Sequence, residues 1–506
     1  MKLKIPDFAN SSPDEKDLTT HGIHSEISID TLIFNSLHRS IFSPLDPFES
    51  PLTTPPTTPP LSRQASPFDI ATTAPLPSAL RSIPSPDTTP VPGPSEPSRK
   101  RKDPPQNLQP RHKNETDRAK QRARAHANRK RKRTAIKQDA LSATPRPRMK
   151  HLDSSERATN EVEVDELTVT STGWQGGSTQ RLGPDGKPVT VIGTKGRVPE
   201  NRPYRLDELC GEGSYEFELI KNKPGITQYI TSETSRIMVV SVPPPVNDPT
   251  WDPMTKNAAQ CCRDWRKECR FTDENGRRGE FDNINVGISI GNGQKEPMVL
   301  AHGPQNLEIA TRICQHLAFR RIAGWMTVCF SSWAPLLFLY YLYIMTTLLE
   351  HHTGLQLPFE NAIFAAFALN FGPQTVCLPH RDQKNLLFGW CAITALGNFD
   401  YKKGGHLVLW ELGVVLEFPP GATIFVPSAV LCHSNTSIAP GEDRFSFTMY
   451  TAAGLFRWVE HGFQLEYLYQ KSVQAVTNAA QDAGRWARGL SLFSTFSELK
   501  TIADTK

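Results

Sequence analysis

Residues 380–451 read HRDQKNLLFGWCAITALGNFDYKKGGHLVLWELGVVLEFPPGATIFVPSAVLCHSNTSIAPGEDRFSFTMYT. Apolar runs of strand length recur along them: LLFGWCAITAL (386–396), GHLVLWEL (405–412), VVLEFP (414–419), ATIFVPS (422–428) and RFSFTMYT (444–451). The breaks LGNFDYKKGG, PPG and SNTSIAPGED carry the Gly, Pro, Asn and Asp that turns require. Short strands at even spacing predict a mostly β fold, a sandwich or barrel of jelly-roll type.

The same stretch holds a set of metal-binding side chains. His380 and Asp382 form H-x-D, and residues i and i+2 of an extended segment point the same way. His433 follows 53 residues downstream, at the end of a strand run. Two imidazoles and one carboxylate make the facial triad of non-haem Fe(II) oxygenases, which leaves three positions of the ion open. One carboxylate on a dication leaves a net +1, which suits an anionic bidentate co-substrate. Arg444 comes eleven residues after His433, with Ser446 two further on the same face. A guanidinium holds a carboxylate through two parallel charge-assisted bonds, and a hydroxyl adds a third donor. That is what the distal carboxylate of 2-oxoglutarate needs. An H-x-D alone is a weak signal, but the ordered H-x-D…H…R-x-S set is specific. It predicts a dioxygenase with Fe(II) on His380, Asp382 and His433, 2-oxoglutarate on Arg444 and Ser446, and O2 as second co-substrate.

This segment resembles the oxygenase domain of the TET/JBP family, in the form found in many mushroom-type (basidiomycete) fungi. The resemblance extends to RRGEFDNINVGISIGNGQ (277–294), RRIAGW (320–325), WAPLLFLYY (333–341) and FENAIFAAFALNFGPQTVC (359–377). It implies a double-stranded β-helix core with flanking helices and oxidation of a methyl group on a nucleic-acid base, with 5-methylcytosine in DNA as the leading substrate. His380, Asp382 and His433 match the family's iron ligands, and Arg444 its 2-oxoglutarate arginine. Asn385 matches the last position of H-R-D-x-x-N, which faces the flipped base in animal members. Tyr450 matches an aromatic that lines the base pocket. Where animal members have a base-contacting His, this chain has Ala452. Similar fungal sequences carry charges where residues 336–349 are apolar here.

Outward from this core, the 506-residue chain divides by composition. Residues 43–98 hold 16 Pro and 17 Ser+Thr in 56 positions, too little apolar surface to offset ordering entropy. Residues 1–98 therefore read as a disordered Pro/Ser/Thr-rich region. Residues 99–138 form a basic arm: 16 Lys+Arg against three acids is a local +13, leaving −8 for the rest of a chain of net +5. Its clusters Arg99–Lys102 and Arg129–Arg133 read as a nuclear-import signal and as sequence-blind phosphate contacts. Residues 139–200 read as a linker with a GPDGK turn, 201–465 as the oxygenase domain, and 466–506 as a C-terminal helical tail. Nine cysteines in so long a chain do not form a disulfide scaffold, and the N-terminus lacks a secretory h-region. The expected location is the nucleus, and the expected partner is methylated DNA.

The uncharged run 322–349 is long enough to span a bilayer, yet Pro335 and the internal Ser331, Ser332, Tyr and Trp favour a buried core helix and no membrane partner. Cys261, Cys262 and Cys269 lack zinc-ligand spacing, and GISIGNG (287–293) lacks the G-K-[ST] of a phosphate loop. His302, His316, His351, His352, His406 and His461 read as surface or packing residues. Two other functions stay open: a 2-oxoglutarate-dependent hydroxylase of protein, RNA or a small molecule, and a catalytically silent nuclear DNA-binding relative. Deleting 99–138 is expected to abolish nuclear accumulation of a tagged protein. It should also flatten the dependence of DNA binding on log salt concentration, since fewer counterions are released.

Overall fold

The computed structural model describes residues 151–504, apart from 178, 183–187, 192–198, 213–214, 272–277, 292 and 480–482. The Pro/Ser/Thr-rich region, the basic arm and the GPDGK turn lie outside the described residues. The fold is mostly β with flanking helices, as expected.

The predicted strands of the core appear as β10 (Cys391–Asn398), β11 (Leu407–Leu409), β12 (Val414–Leu416), β13 (Thr423–Val426), β14 (His433–Asn435) and β15 (Asp443–Tyr450). Among the described residues, nine further strands precede them. They are β1 (Glu156–Val162), β2 (Thr179–Leu182), β3 (Pro188–Val191), β4 (Glu218–Ile220) and β5 (Gln228–Ser232), then β6 (Ile237–Val242), β7 (Asn283–Ser289), β8 (Met298–Val299) and β9 (Ala366–Asn370). A nine-stranded sheet runs in the order β1-β5-β6-β13-β10-β15-β9-β7-β8, and a four-stranded sheet in the order β14-β11-β12-β4. Strands β2 and β3 form a two-stranded sheet. Consecutive core strands thus alternate between the two sheets, the arrangement of a double-stranded β-helix: β10 in the large sheet, β11 and β12 in the small one, β13 back in the large, β14 in the small, β15 in the large. Strand β10 is paired on both sides, to β13 and β15, and its first six residues are buried. That explains its unbroken apolar run, since a strand covered on both faces shows no alternation.

The apolar run 322–349 forms two helices rather than one. Helix α1 (Leu317–Trp333) ends at Ala334, and helix α2 (Pro335–His351) starts with the proline at its first position. Proline lacks the N–H a continuing helix needs and forces its predecessor off helical angles, seen in Ala334 at φ −139°, ψ 65°. Among the described residues, no helix is long and apolar enough to cross a membrane. The pair packs on the large sheet through Phe330, whose ring lies 5.1–6.3 Å from those of Phe338, Tyr341, Phe364, Trp390 and Phe425.

Residues 151–177 belong to the folded body, although their polarity reads as linker. Strand β1 lies at the sheet edge, where alternate side chains stay exposed, and it pairs in parallel with β5. The tail forms several short helices, and its Phe493 is buried against Trp390 at 5.9 Å. Phe330→Ala removes a ring fully enclosed by aromatics. It is expected to cost about 3–5 kcal/mol of stability, read as a lowered midpoint in chemical denaturation.

Candidate metal centre

The H-x-D segment follows β9 and carries no regular structure of its own; β14 positions it. His380 N–H donates to His433 O at 3.0 Å, and His433 N–H returns to His380 O at 2.9 Å. Asp382 N–H donates to Ser428 O at 2.8 Å. The segment is therefore held like a strand, and side chains two apart face the barrel together. His380, Asp382 and His433 offer ligand atoms that all lie within 4.8 Å of one another. Asp382 Oδ1 is 3.8 Å from His380 Nε2, and Oδ2 is 3.9 Å from His433 Nε2.

Both imidazoles are oriented alike. His380 Nδ1 donates to Leu378 O at 2.7 Å, and His433 Nδ1 to Leu431 O at 3.0 Å. A carbonyl only accepts, so each Nδ1 carries the proton and each Nε2 lone pair faces the carboxylate and the third ligand. Burial lowers the pKa of both rings, and His433 lowers that of His380 further, keeping the ligands neutral. Burial alone would push Asp382 up. The Arg278 guanidinium outweighs it and holds the carboxyl well below the usual range. The donor set fits a divalent ion with an N/N/O preference such as Fe(II).

Around Asp382 lies a small polar network. Asn385 Nδ2 donates to Ser428 Oγ at 3.2 Å and to Cys391 Sγ at 3.1 Å, and Ser428 Oγ donates to Cys391 Sγ at 3.0 Å. Cys391 Sγ is 4.0 Å from Asp382 Oδ2. Asn385 is thus brought to the site, with its amide nitrogen turned toward the metal carboxylate's neighbours.

Deeper in the barrel, Arg444 is 1% exposed, and burial lowers its pKa to about 10, so it stays charged at neutral pH. Its Nη1 donates to Thr375 O at 2.8 Å. Among the described residues, its Nε finds no hydrogen-bond partner, nor do the buried Thr375 Oγ1 and His406 Nε2. Such groups are costly unless something satisfies them. A guanidinium, a hydroxyl and an imidazole are groups that suit a carboxylate, as expected for 2-oxoglutarate. Ser446 is on the same face of β15, and its hydroxyl accepts from Asn370 Nδ2 at 2.7 Å. Gly405 is essential to this packing. Its φ is +73°, and a Cβ there would lie 2.6 Å from the Phe399 ring and 3.1 Å from Arg444 Cδ.

Three contributors were not legible as site residues. His406, read as packing, is fully buried, with Nδ1 2.8 Å from Thr436 Oγ1 and its pKa lowered to about 4 by burial and then by Arg444. Arg278 reaches Asp382 Oδ1 at 2.6 Å and brings a second positive charge to the centre. Thr375 gives its carbonyl to Arg444 Nη1 at 2.8 Å, and its buried hydroxyl has no hydrogen-bond partner among the described residues. Only the large separation in sequence hid them; RRGEFDN and GGH carried no spacing signal. Tyr450 is placed at the same centre: its hydroxyl donates to Asn285 Oδ1 at 3.3 Å, and Arg278 and Asp382 are near enough to act on its pKa.

The fold is a double-stranded β-helix whose His380, Asp382 and His433 donor set, with the buried Arg444 on β15, could hold a divalent ion and a carboxylate. No family model matches the chain, and no curated protein matches it. Among solved structures, NgTET1 in complex with 5mC DNA is similar at 14% identity over 47% of this chain and 83% of its own, with a TM-score of 0.34. A 2OG-Fe(II) oxygenase family oxidoreductase from Burkholderia pseudomallei gives 15% identity over 44% and 86%, TM-score 0.25. The viral collagen prolyl hydroxylase of Paramecium Bursaria Chlorella virus-1 gives 15% over 17% and 57%, TM-score 0.15.

His380→Ala, Asp382→Ala and His433→Ala are each expected to abolish 2-oxoglutarate turnover, measured as succinate release. Arg444→Ala should chiefly raise the apparent KM for 2-oxoglutarate, by roughly 10–150-fold if a charge-assisted pair of about 1.5–3 kcal/mol is lost.

Proposed function

We propose that this chain is an Fe(II)/2-oxoglutarate-dependent dioxygenase that oxidises the methyl group of a methylated nucleic-acid base, 5-methylcytosine in DNA, and that it works in the nucleus. The observation that carries this reading is the order of side chains along one face of β15. Arg444, Ser446 and Tyr450 alternate along that face, and Tyr450 is near enough to Asp382 for the carboxylate to act on its pKa. An aromatic ring at that place offers a stacking face for a planar substrate next to the ligand set. When bound, Fe(II) with 2-oxoglutarate and O2 supplies the oxidising equivalent for hydroxylating a C–H bond, with 2-oxoglutarate leaving as succinate and CO2.

The chain's own groups do the rest. Arg444 fixes the co-substrate's distal carboxylate by charge and planar geometry. The i−2 carbonyls hold both imidazoles in one tautomer. Asn385, Ser428 and Cys391 keep the Asp382 carboxylate in place from behind. Burial around Arg444 and His406 excludes water from the co-substrate. The target methyl of a stacked duplex cannot reach a buried ion, so the nucleotide must be extruded at a cost of a few kcal/mol. Stacking on Tyr450 returns part of that, and phosphate contacts from the basic arm add sequence-independent affinity. Ala452, bridged to Asn385 through the backbone, leaves fewer base-edge donors than the animal pattern, and looser base discrimination follows.

The test is incubation of the full chain with Fe(II), 2-oxoglutarate and methylated duplex DNA, followed by mass spectrometry of the nucleosides. Oxidised 5-methylcytosine is the expected product. Tyr450→Ala should lower base oxidation by roughly 5–150-fold, the equivalent of about 1–3 kcal/mol of stacking, while uncoupled succinate release persists. Asn385→Ala should lower both, because its amide supports the metal carboxylate. Succinate release with no DNA product under any condition would move the substrate to RNA, protein or a small molecule.

A further inference from the structure

The metal ligands are braced from outside the barrel by one carboxylate. Arg381 stands between His380 and Asp382, so its side chain points away from the metal-facing side, and Glu411 meets it there. Arg381 Nη2 donates to Glu411 Oε1 at 2.6 Å, with the two side chains only 2% and 5% exposed. The other carboxylate oxygen, Oε2, accepts from Cys432 N–H at 2.8 Å. Cys432 immediately precedes His433. Glu411 therefore grips both ligand-bearing segments, one through the residue between two ligands and the other through the amide next to the third.

The turn that carries Glu411 is itself fixed. It joins β11 to β12, Trp410 N–H donates to Cys432 O at 3.0 Å, and Trp410 Nε1 donates to Ser434 Oγ at 3.0 Å. The Trp410 ring lies 5.0–5.3 Å from those of Tyr204, Tyr215 and Phe217. An ion pair buried this deeply is weak evidence for stability, because desolvation offsets its attraction. Its geometry has another use. With the guanidinium and the amide both fixed to one rigid planar group, the spacing between the H-x-D segment and His433 cannot drift.

We propose that Glu411 is a positioning residue that sets metal affinity by clamping Arg381 and Cys432 together behind the triad; this rests on the triad binding a divalent metal. Outer-shell partners of metal ligands typically contribute 10–100-fold in affinity.

The test is a Co(II) titration of the full chain followed by absorption spectroscopy, with Asp382→Ala as the control for binding at the triad and circular dichroism as the check on folding. Glu411→Gln keeps shape but weakens the grip on Arg381, and Glu411→Asp keeps charge but shortens reach. Each is expected to raise the Kd for Co(II) by roughly 10–100-fold. The double change Arg381→Met/Glu411→Met removes both charges, a replacement that commonly retains stability. It should show the same weakened binding, and it decides the matter if the single variants do not fold. A folded Glu411→Gln with the parent Kd would overturn the clamp. So would a double variant restored to the parent Kd, since the weakening would then stem only from an uncompensated Arg381 charge. A parent chain that binds no Co(II), or an Asp382→Ala chain that binds it equally well, would instead refute the triad and the clamp with it.

Discussion

Two residues 53 positions apart exchange both of their backbone hydrogen bonds, His380 with His433. Everything at the centre depends on that pair. It gives an irregular segment the geometry of a strand, so that the H-x-D spacing has a face to point to. It also ties the connection before β10 to the start of β14, and through β14 to the small sheet. Backbone pairing of this kind is indifferent to side chains. The residues around it were therefore free to become ligands, a clamp partner and an outward-facing arginine without loss of the frame.

The frame encloses an unusual amount of charge. Arg444, Arg381, Glu411 and Asp382 are buried or nearly so. The second and third neutralise one another on the outer side. Asp382 is surrounded by Arg278 and two imidazoles. Arg444 alone faces only neutral partners among the described residues, Thr375 O and the rings of Phe399 and Phe418. A cation left in that state is destabilising to the empty fold and favourable to any anion that enters. The same arginine thus costs stability in one state and confers affinity in the other.

How much of this was legible in the sequence follows from the range of each interaction. The clustering of His380, Asp382 and His433 was legible because i, i+2 spacing on extended chain is a local rule, and the strands because their breaks carry Gly and Pro. His406, Arg278, Thr375 and Glu411 were not, because each acquires its role from a partner 21 to 104 residues away, brought near by sheet crossing. The run 322–349 was read correctly as buried and incorrectly as one helix. Hydropathy reports the environment of such a run, whereas the break at Ala334 is a steric effect of Pro335. Residues 151–177 failed for the opposite reason: an edge strand buries so little that its composition resembles a linker.

The two ends of the described fold meet. Lys500 Nζ lies 3.2 Å from Asp153 Oδ1, Ile237 N–H donates to Ser494 O at 2.9 Å, and Arg485 stands 4.0 Å over the ring of Trp174. Leu152 and Ala503 are both buried. In topological terms the domain is nearly circular, because the chain leaves it where it entered. Joining residue 504 to 151 and opening the exposed turn at 353–354 would rearrange the order of the sequence while keeping every strand pairing. The metal centre, built from the middle of the chain, would keep its neighbours and its frame.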